Sequence, residues 1–139
     1  MPNAPLAGVT VVECASSISG PYAGLLPAQL GADVVKVEAP GSGDPFRRWG
    51  TSTATSTRPH FAALNHSKRS VALDLREPAG RAASLDLCGG ADALIEHFRP
   101  GTLEQENGPA GEDVLVPRGA IGFVGDTDAC SMEVSVLGG

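Results

Sequence analysis

The chain has 139 residues at 42% hydrophobic, enough for one sizeable core and too short for a multi-domain machine. Eighteen glycines and eleven prolines imply large loops, with no collagen period and no long low-complexity tract. Ten basic against sixteen acidic residues leave a net charge of −6, a surface that repels phosphate backbones, so nucleic acid is not an expected partner.

The chain opens without the basic region and apolar stretch of a signal peptide, and no later run reaches the roughly 18 apolar residues of a membrane span. A soluble, cytoplasmic protein with no membrane contact is expected. Gly8 to Cys14 (GVTVVEC) is a β-branched run and reads as a first strand. Ser19-Gly20-Pro21 then opens a helix over about Pro21 to Leu30, with proline tolerated in the first turn and Gly31 suited to a left-handed cap. Pro27 removes a donor inside that helix and is expected to kink or shorten it. Asp33 to Glu38 (DVVKVE) is a second strand, and two strands joined by a helical crossover form a parallel βαβ unit.

Ala39 to His60 reads as loop and is longer than a compact fold normally leaves idle, which suggests a functional or mobile segment. Ser70 to Leu75 is a third strand. A second helix starts at Glu77-Pro78 and stops near Gly89-Gly90, and Ala93 to Glu96 is a fourth strand. This alternation predicts an α/β fold with a doubly wound, mostly parallel sheet. Beyond Gly108 the periodicity fails. Residues 1–104 hold nine Lys or Arg against ten Asp or Glu, whereas residues 105–139 hold one against six, so the expected division is an α/β region, 1–104, and a divergent acidic, Gly-rich tail, 105–139.

Several chemistries are disfavoured. The first strand–helix turn has only Gly20, and Gly41-Ser42-Gly43 does not complete G-x-G-x-x-G, which argues against a nicotinamide enzyme. There is no P-loop and no G-x-S-x-G elbow. His60, His66 and His97 lack ligand spacing, so no metal site is expected. Cys14, Cys88 and Cys130 share no motif spacing and read as reduced, structural thiols. What stands out is a set of cations in loops and at strand ends: Arg47, Arg48, Lys68, Arg69, Arg76 and Arg99. Arg76 and Arg99 follow strands, where open α/β sheets place ligands, and an anion bearing phosphates would fit there. The turn Asn65-His66-Ser67-Lys68-Arg69-Ser70 either binds an anion or orients neighbouring loops.

Taken in order, PLAGVTVVE (5–13), SGPYAG (19–24), LGADVVKVEAPGSGDPFR (30–47), LNHSKRSVALDL (64–75), EPAGR (77–81) and ADALIEHFRPGTLE (91–104) resemble the family III coenzyme A transferases. That group includes formyl-CoA transferase, carnitine CoA-transferase and α-methylacyl-CoA racemase. The resemblance implies an incomplete, Rossmann-like N-terminal part of a larger subunit that interlocks as a homodimer, and coenzyme A or an acyl-CoA as ligand. No separate cofactor is implied, because the CoA thioester is the substrate. By position, Ile18, Leu73, Arg76, His97, Phe98 and Arg99 correspond to the family's CoA-binding elements. The chain departs from the family in having His97 where Asn or Pro is common, Ala39 where some members carry Arg, and no basic residue at Gln105.

In the transferases of this family an aspartate carboxylate attacks the thioester, giving a mixed anhydride and then an aspartyl-CoA thioester that hands coenzyme A to a second acid. In the racemases the corresponding Asp works with a His as acid and base. The resemblance places that Asp farther along than residue 139, so no catalytic residue is assigned and the isolated chain is expected to be inactive. Asp126 and Asp128 read as exposed loop residues. One hypothesis for the change of character near Gln105 is a truncated or frame-shifted gene product. The alternatives to a transferase part are a racemase part and a noncatalytic CoA-binding or partner-binding module.

Overall fold

A computed structural model describes residues 3–50 and 58–98, together with the backbone of 133–136. The elements run β1 (Thr10–Cys14), α1 (Ser19–Gln29), β2 (Asp33–Glu38), a one-turn 3-10 helix (Pro45–Arg48), α2 (Pro59–Asn65), β3 (Arg69–Ala72), α3 (Pro78–Gly89), β4 (Ala93–Glu96) and β5 (Glu133–Val136). The sheet order is β3-β2-β1-β4-β5. The first four strands are parallel, with Glu13 opposite both Lys36 and Ile95, and β5 is antiparallel to β4. The α/β, Rossmann-like arrangement read from the sequence is the fold observed. Its order reverses between β1 and β4, and that crevice is where doubly wound sheets place ligands.

Side chains alternate along each strand, so the sheet has two cores. On one face Val11, Ala15, Val34 and Ile95 pack with Ala28 of α1. On the other Val12, Cys14, Val37 and Leu94 pack with Cys88 of α3. Both faces are covered, and the strands accordingly read as nearly continuous apolar runs. The charged residues inside the strands are Glu13 and Lys36, a directly opposed cross-strand pair on the α1 face with side chains 0% and 2% exposed, while Glu38 and Glu96 are buried where β2 and β4 end. The outer side of α1 carries Ile18, Tyr22, Leu26 and Leu30, four residues apart and exposed.

α1 ends as its sequence suggests. Gly31 has φ +97°, the Gly31 N–H donates to the Ala28 carbonyl at 3.1 Å, and the Ala32 N–H donates to the Pro27 carbonyl at 3.0 Å. These are the paired bonds of a Schellman cap. Pro27 sits two residues before the helix ends at Gln29, so the one helical hydrogen bond that its missing donor removes lies in the last turn.

Three sequence expectations need correction. The stretch from Ala39 to His60 is not all loop: Pro45–Arg48 form a 3-10 turn capped by Asp44, whose side chain accepts the Phe46 N–H, and α2 begins at Pro59. The third strand covers Arg69–Ala72 rather than running on to Leu75. Among the described residues, the region beyond Gly108 contributes β5, whose four-residue length gives periodicity little to register. Residues 51–57 and 99–132, including Arg99, Asp126, Asp128 and Cys130, lie outside the described residues. Among the described residues no helix is long and apolar enough to cross a membrane.

Candidate functional site

The carboxyl ends of β1, β2, β3 and β4 converge on a cavity of about 380 Å³. Ala15 and Ser16 line it after β1, the turn from Ala39 to Pro45 after β2, Leu73 to Arg76 after β3, and His97 and Phe98 after β4. Its walls mix apolar surface with a few directed polar groups, the usual character of a small-molecule site.

Behind two of its lining residues, Ala15 and Asp44, lies a buried ion network. Lys36 Nζ donates to Glu13 Oε1 at 2.7 Å and to the Ala15 carbonyl at 2.6 Å, and lies 3.0 Å from Asp44 Oδ2. Lys68 Nζ donates to the other Glu13 oxygen at 2.7 Å, to the Pro21 carbonyl at 2.7 Å and to Asn65 Oδ1 at 3.0 Å. Burial lowers the Lys68 pKa, and Glu13 offsets part of that fall. Two cations thus share one carboxylate, and Asp44 balances the set. α1 has to come close for this. A Cβ on Gly24 would stand 2.0 Å from Glu13 Oε2, and one on Gly20 would stand 2.2 Å from Ala15 Cβ, so both glycines of SGPYAG are spacing requirements.

A second node sits at the end of β2. Glu38 accepts from Arg47 Nε and Nη2 at 2.7 Å each, from Ser70 Oγ at 2.7 Å and from the Asp44 N–H at 2.8 Å. Burial alone would raise its pKa, but these donors, Arg47 foremost, hold it down at about 2. This fixes the Ala39–Asp44 turn against β3. Arg47 also lies 3.9 Å over the Phe61 ring, tying the turn to α2.

At the crevice between β1 and β4, His97 Nδ1 accepts the Ser16 N–H at 3.2 Å, and His97 Nε2 faces Ser16 Oγ at 3.3 Å. Burial, with Lys36 adding to it, holds the imidazole below its ordinary pKa, so the ring is neutral at pH 7. Because Nδ1 is the acceptor, Nε2 carries the proton and donates to the hydroxyl. The Ser16–His97 contact therefore has the wrong polarity for an activated serine nucleophile. The His97 ring stacks on Phe98, centroids 6.0 Å apart.

Of the residues singled out from the sequence, Leu73, Arg76, His97 and Phe98 come together around this one cavity. Ile18 is exposed at the N-cap of α1 and does not line it, and Arg99 lies outside the described residues. Four of the six cations sit in ion pairs. Arg47 is bound to Glu38, Lys68 to Glu13, Arg69 to Asp33 with Nε to Oδ1 at 2.8 Å, and Arg76 to Asp74 through two 2.9 Å bonds. Arg76 in turn holds the Asp74 carboxyl down at about 2. The turn from Asn65 to Ser70 orients its neighbours: Lys68 points in and Arg69 reaches across the sheet surface. Sequence reasoning passed over Ser16, Glu38 and Asp44. The available signal was a carboxylate ending a strand, followed by a glycine-rich turn, a second carboxylate before proline, and an arginine.

Comparison with known proteins gives this geometry a context. The sequence profile of CoA-transferase family III matches residues 6–107. The chain is 42% identical over 104 residues to succinyl-CoA–D-citramalate CoA-transferase of Chloroflexus aurantiacus, covering 75% of this chain and 26% of that protein. It is 41% identical over 107 residues to succinate–glutarate CoA-transferase of Agrobacterium fabrum, covering 71% and 27%. The crystal structure of a CAIB/BAIF family protein from Brucella suis superposes with a TM-score of 0.73 at 34% identity, over 89% of this chain and 35% of that one. The chain thus spans about a quarter of the length of the curated relatives it matches. With the profile matched from before β1 to beyond β4, and with the fold shared with the Brucella protein, the chain belongs to CoA-transferase family III.

Proposed function

We propose that this chain supplies the coenzyme A-binding part of a family III CoA-transferase, in which coenzyme A moves between carboxylic acids through an aspartyl intermediate whose aspartate lies outside these 139 residues. The observation that carries this reading is the cavity at the carboxyl ends of β1 to β4, inside the segment that matches the family. Leu73 and Phe98 offer apolar surface to the ligand, Arg76 a guanidinium, and His97 an imidazole edge, with Ile18 and Arg99 completing the set. Transfer rather than racemisation is favoured because the relatives above are named as transferases. A noncatalytic role for the isolated chain is supported at the cavity itself. Its three lining carboxylates, Glu38, Asp44 and Asp74, are each engaged by a cation, whereas a nucleophile must be free to reach the thioester carbonyl. Residues 1–104 form the ligand-binding region and 105–139 a divergent tail, and the working enzyme is a cytoplasmic homodimer.

Isothermal titration of the chain with coenzyme A tests the reading. Saturable binding is expected, weakened roughly tenfold by Arg76→Ala, the loss typical of one charged hydrogen bond. No transfer from succinyl-CoA to a dicarboxylate acceptor is expected. Absence of binding at millimolar ligand overturns the site, and turnover by the chain alone overturns the placement of the nucleophile.

A further inference from the structure

The β1–α1 turn is under conformational strain and is held by two side chains from elsewhere in the sheet. Ser17 has φ +66°, a left-handed conformation that a non-glycine residue adopts at a cost. Its N–H donates to Asp44 Oδ1 at 3.1 Å, and the preceding N–H, that of Ser16, donates to His97 Nδ1 at 3.2 Å. Asp44 is fixed by Lys36 beneath it. His97 is the titratable half of the grip. A neutral imidazole has one lone pair, which here receives the Ser16 N–H. An imidazolium has none, so protonation sets two donors against each other.

We propose that His97 is a proton-operated clasp: neutral, its Nδ1 pins the Ser16 N–H and holds the β1–α1 turn against the cavity; protonated, it releases the turn and weakens the cavity's hold on a coenzyme A-type ligand. This rests on the cavity being the coenzyme A site proposed above and adds to it a regulatory, positioning role for one lining residue.

The charges around the ring come from each packed element. Glu13 of β1 and Asp44 after β2 favour the imidazolium, while Lys36 of β2 and burial oppose it and prevail. Arg76 and Asp74 after β3 face the same cavity, already paired with each other. On its own strand, Glu96 Oε2 is occupied by the Phe98 N–H at 2.6 Å. α1 presents no acidic residue in its first turn. With the clasped ring titrating below the ordinary imidazole value of 6.5, the released state binds more protons, so acidification favours release. An imidazolium left in place would instead attract an anionic ligand, and the two effects have opposite signs.

The test is coenzyme A affinity from about pH 8 to about pH 5.5, the span over which a histidine changes charge, for the native chain and for His97→Asn. Asparagine keeps an acceptor near the Ser16 N–H and cannot titrate. The native affinity should fall roughly five- to tenfold more than that of the variant, the range for losing one hydrogen bond, with the ligand's own phosphate ionisation common to both. Parallel profiles, or a native affinity that rises on acidification, overturn the clasp. A second readout needs no ligand: the protection factor of the Ser16 amide, its exchange rate corrected for the intrinsic slowing of amide exchange at lower pH, should fall as the His97 ring titrates, followed by NMR in the native chain. If coenzyme A binds neither protein at pH 8, the proposed site fails, and the Ser16 amide alone decides the clasp. A protection factor that ignores the ring's titration overturns it.

Discussion

Replacing Glu13 by Gln removes the one charge that two buried ammonium groups share. Each Glu13 oxygen lies 2.7 Å from a lysine Nζ. At that separation the bare attraction is about 6 kcal/mol per contact for an effective dielectric of about 20, most of it already spent on desolvating the ions. The two lysines fare differently once the charge is gone. Lys36 keeps Asp44 at 3.0 Å, whereas Lys68 keeps only the neutral oxygens of Pro21 and Asn65. The cost is therefore set mainly by one orphaned ammonium, about 3–5 kcal/mol. In urea, with a slope of about 1.5 kcal/mol per molar, the unfolding midpoint should drop by about 2–3 M, read by far-UV circular dichroism. Lys68→Met added to Glu13→Gln should recover part of the loss, and Lys36→Met should recover less because it strands Asp44. A midpoint shift below about 0.5 M for Glu13→Gln, or equal recovery by the two methionines, would refute the idea that a dry, shared carboxylate holds α1 and the β3 turn onto the sheet.

Two further predictions concern the same framework. Gly24→Ala drives a methyl group against Glu13 Oε2, 2.0 Å from where its carbon would sit, and should destabilise the chain by about 1–3 kcal/mol in the same urea assay; a stability equal to the native chain's would mean that α1 is free to lift. Glu38, whose folded pKa of about 2 lies below its ordinary 4.5, contributes stability that is complete above pH 4.5 and is lost as pH falls toward 2. The shift corresponds to about 3 kcal/mol at most, and about 2 kcal/mol once screening at the half-exposed Arg47 is allowed for. Arg47→Met should flatten that part of an acid-unfolding profile, and an unchanged profile would dissociate Glu38 from acid stability.

Much of the fold was legible because its determinants are local. TVVEC, DVVKVE and ALIE are short apolar strands, Gly31 caps α1, and Pro78 opens α3. α2 was missed because seven residues, Pro59–Asn65, make too few turns to establish a helical period. At the site, the strand ends pointed to Leu73, Arg76, His97 and Phe98, which line one cavity. The partners of the cations were not legible, because whether a basic side chain faces a ligand or a carboxylate depends on groups distant in sequence: Arg69 meets Asp33 and Lys68 meets Glu13, 36 and 55 residues away. Charged letters inside otherwise apolar strands, Glu13 and Lys36, were the overlooked sign of a buried pair.

The central position of β1 has a kinetic consequence. Its neighbour β2 is close in the chain, with Glu13 opposite Lys36, but its other neighbour is β4, and Thr10 exchanges two 2.8 Å hydrogen bonds with Asp92, 82 residues on. Closing the longer loop costs about 1 kcal/mol more chain entropy than closing the shorter one. The β1–α1–β2 unit is thus the natural nucleus, and the crevice between β1 and β4, which exists only once β4 has docked, is among the last features to form as the chain folds.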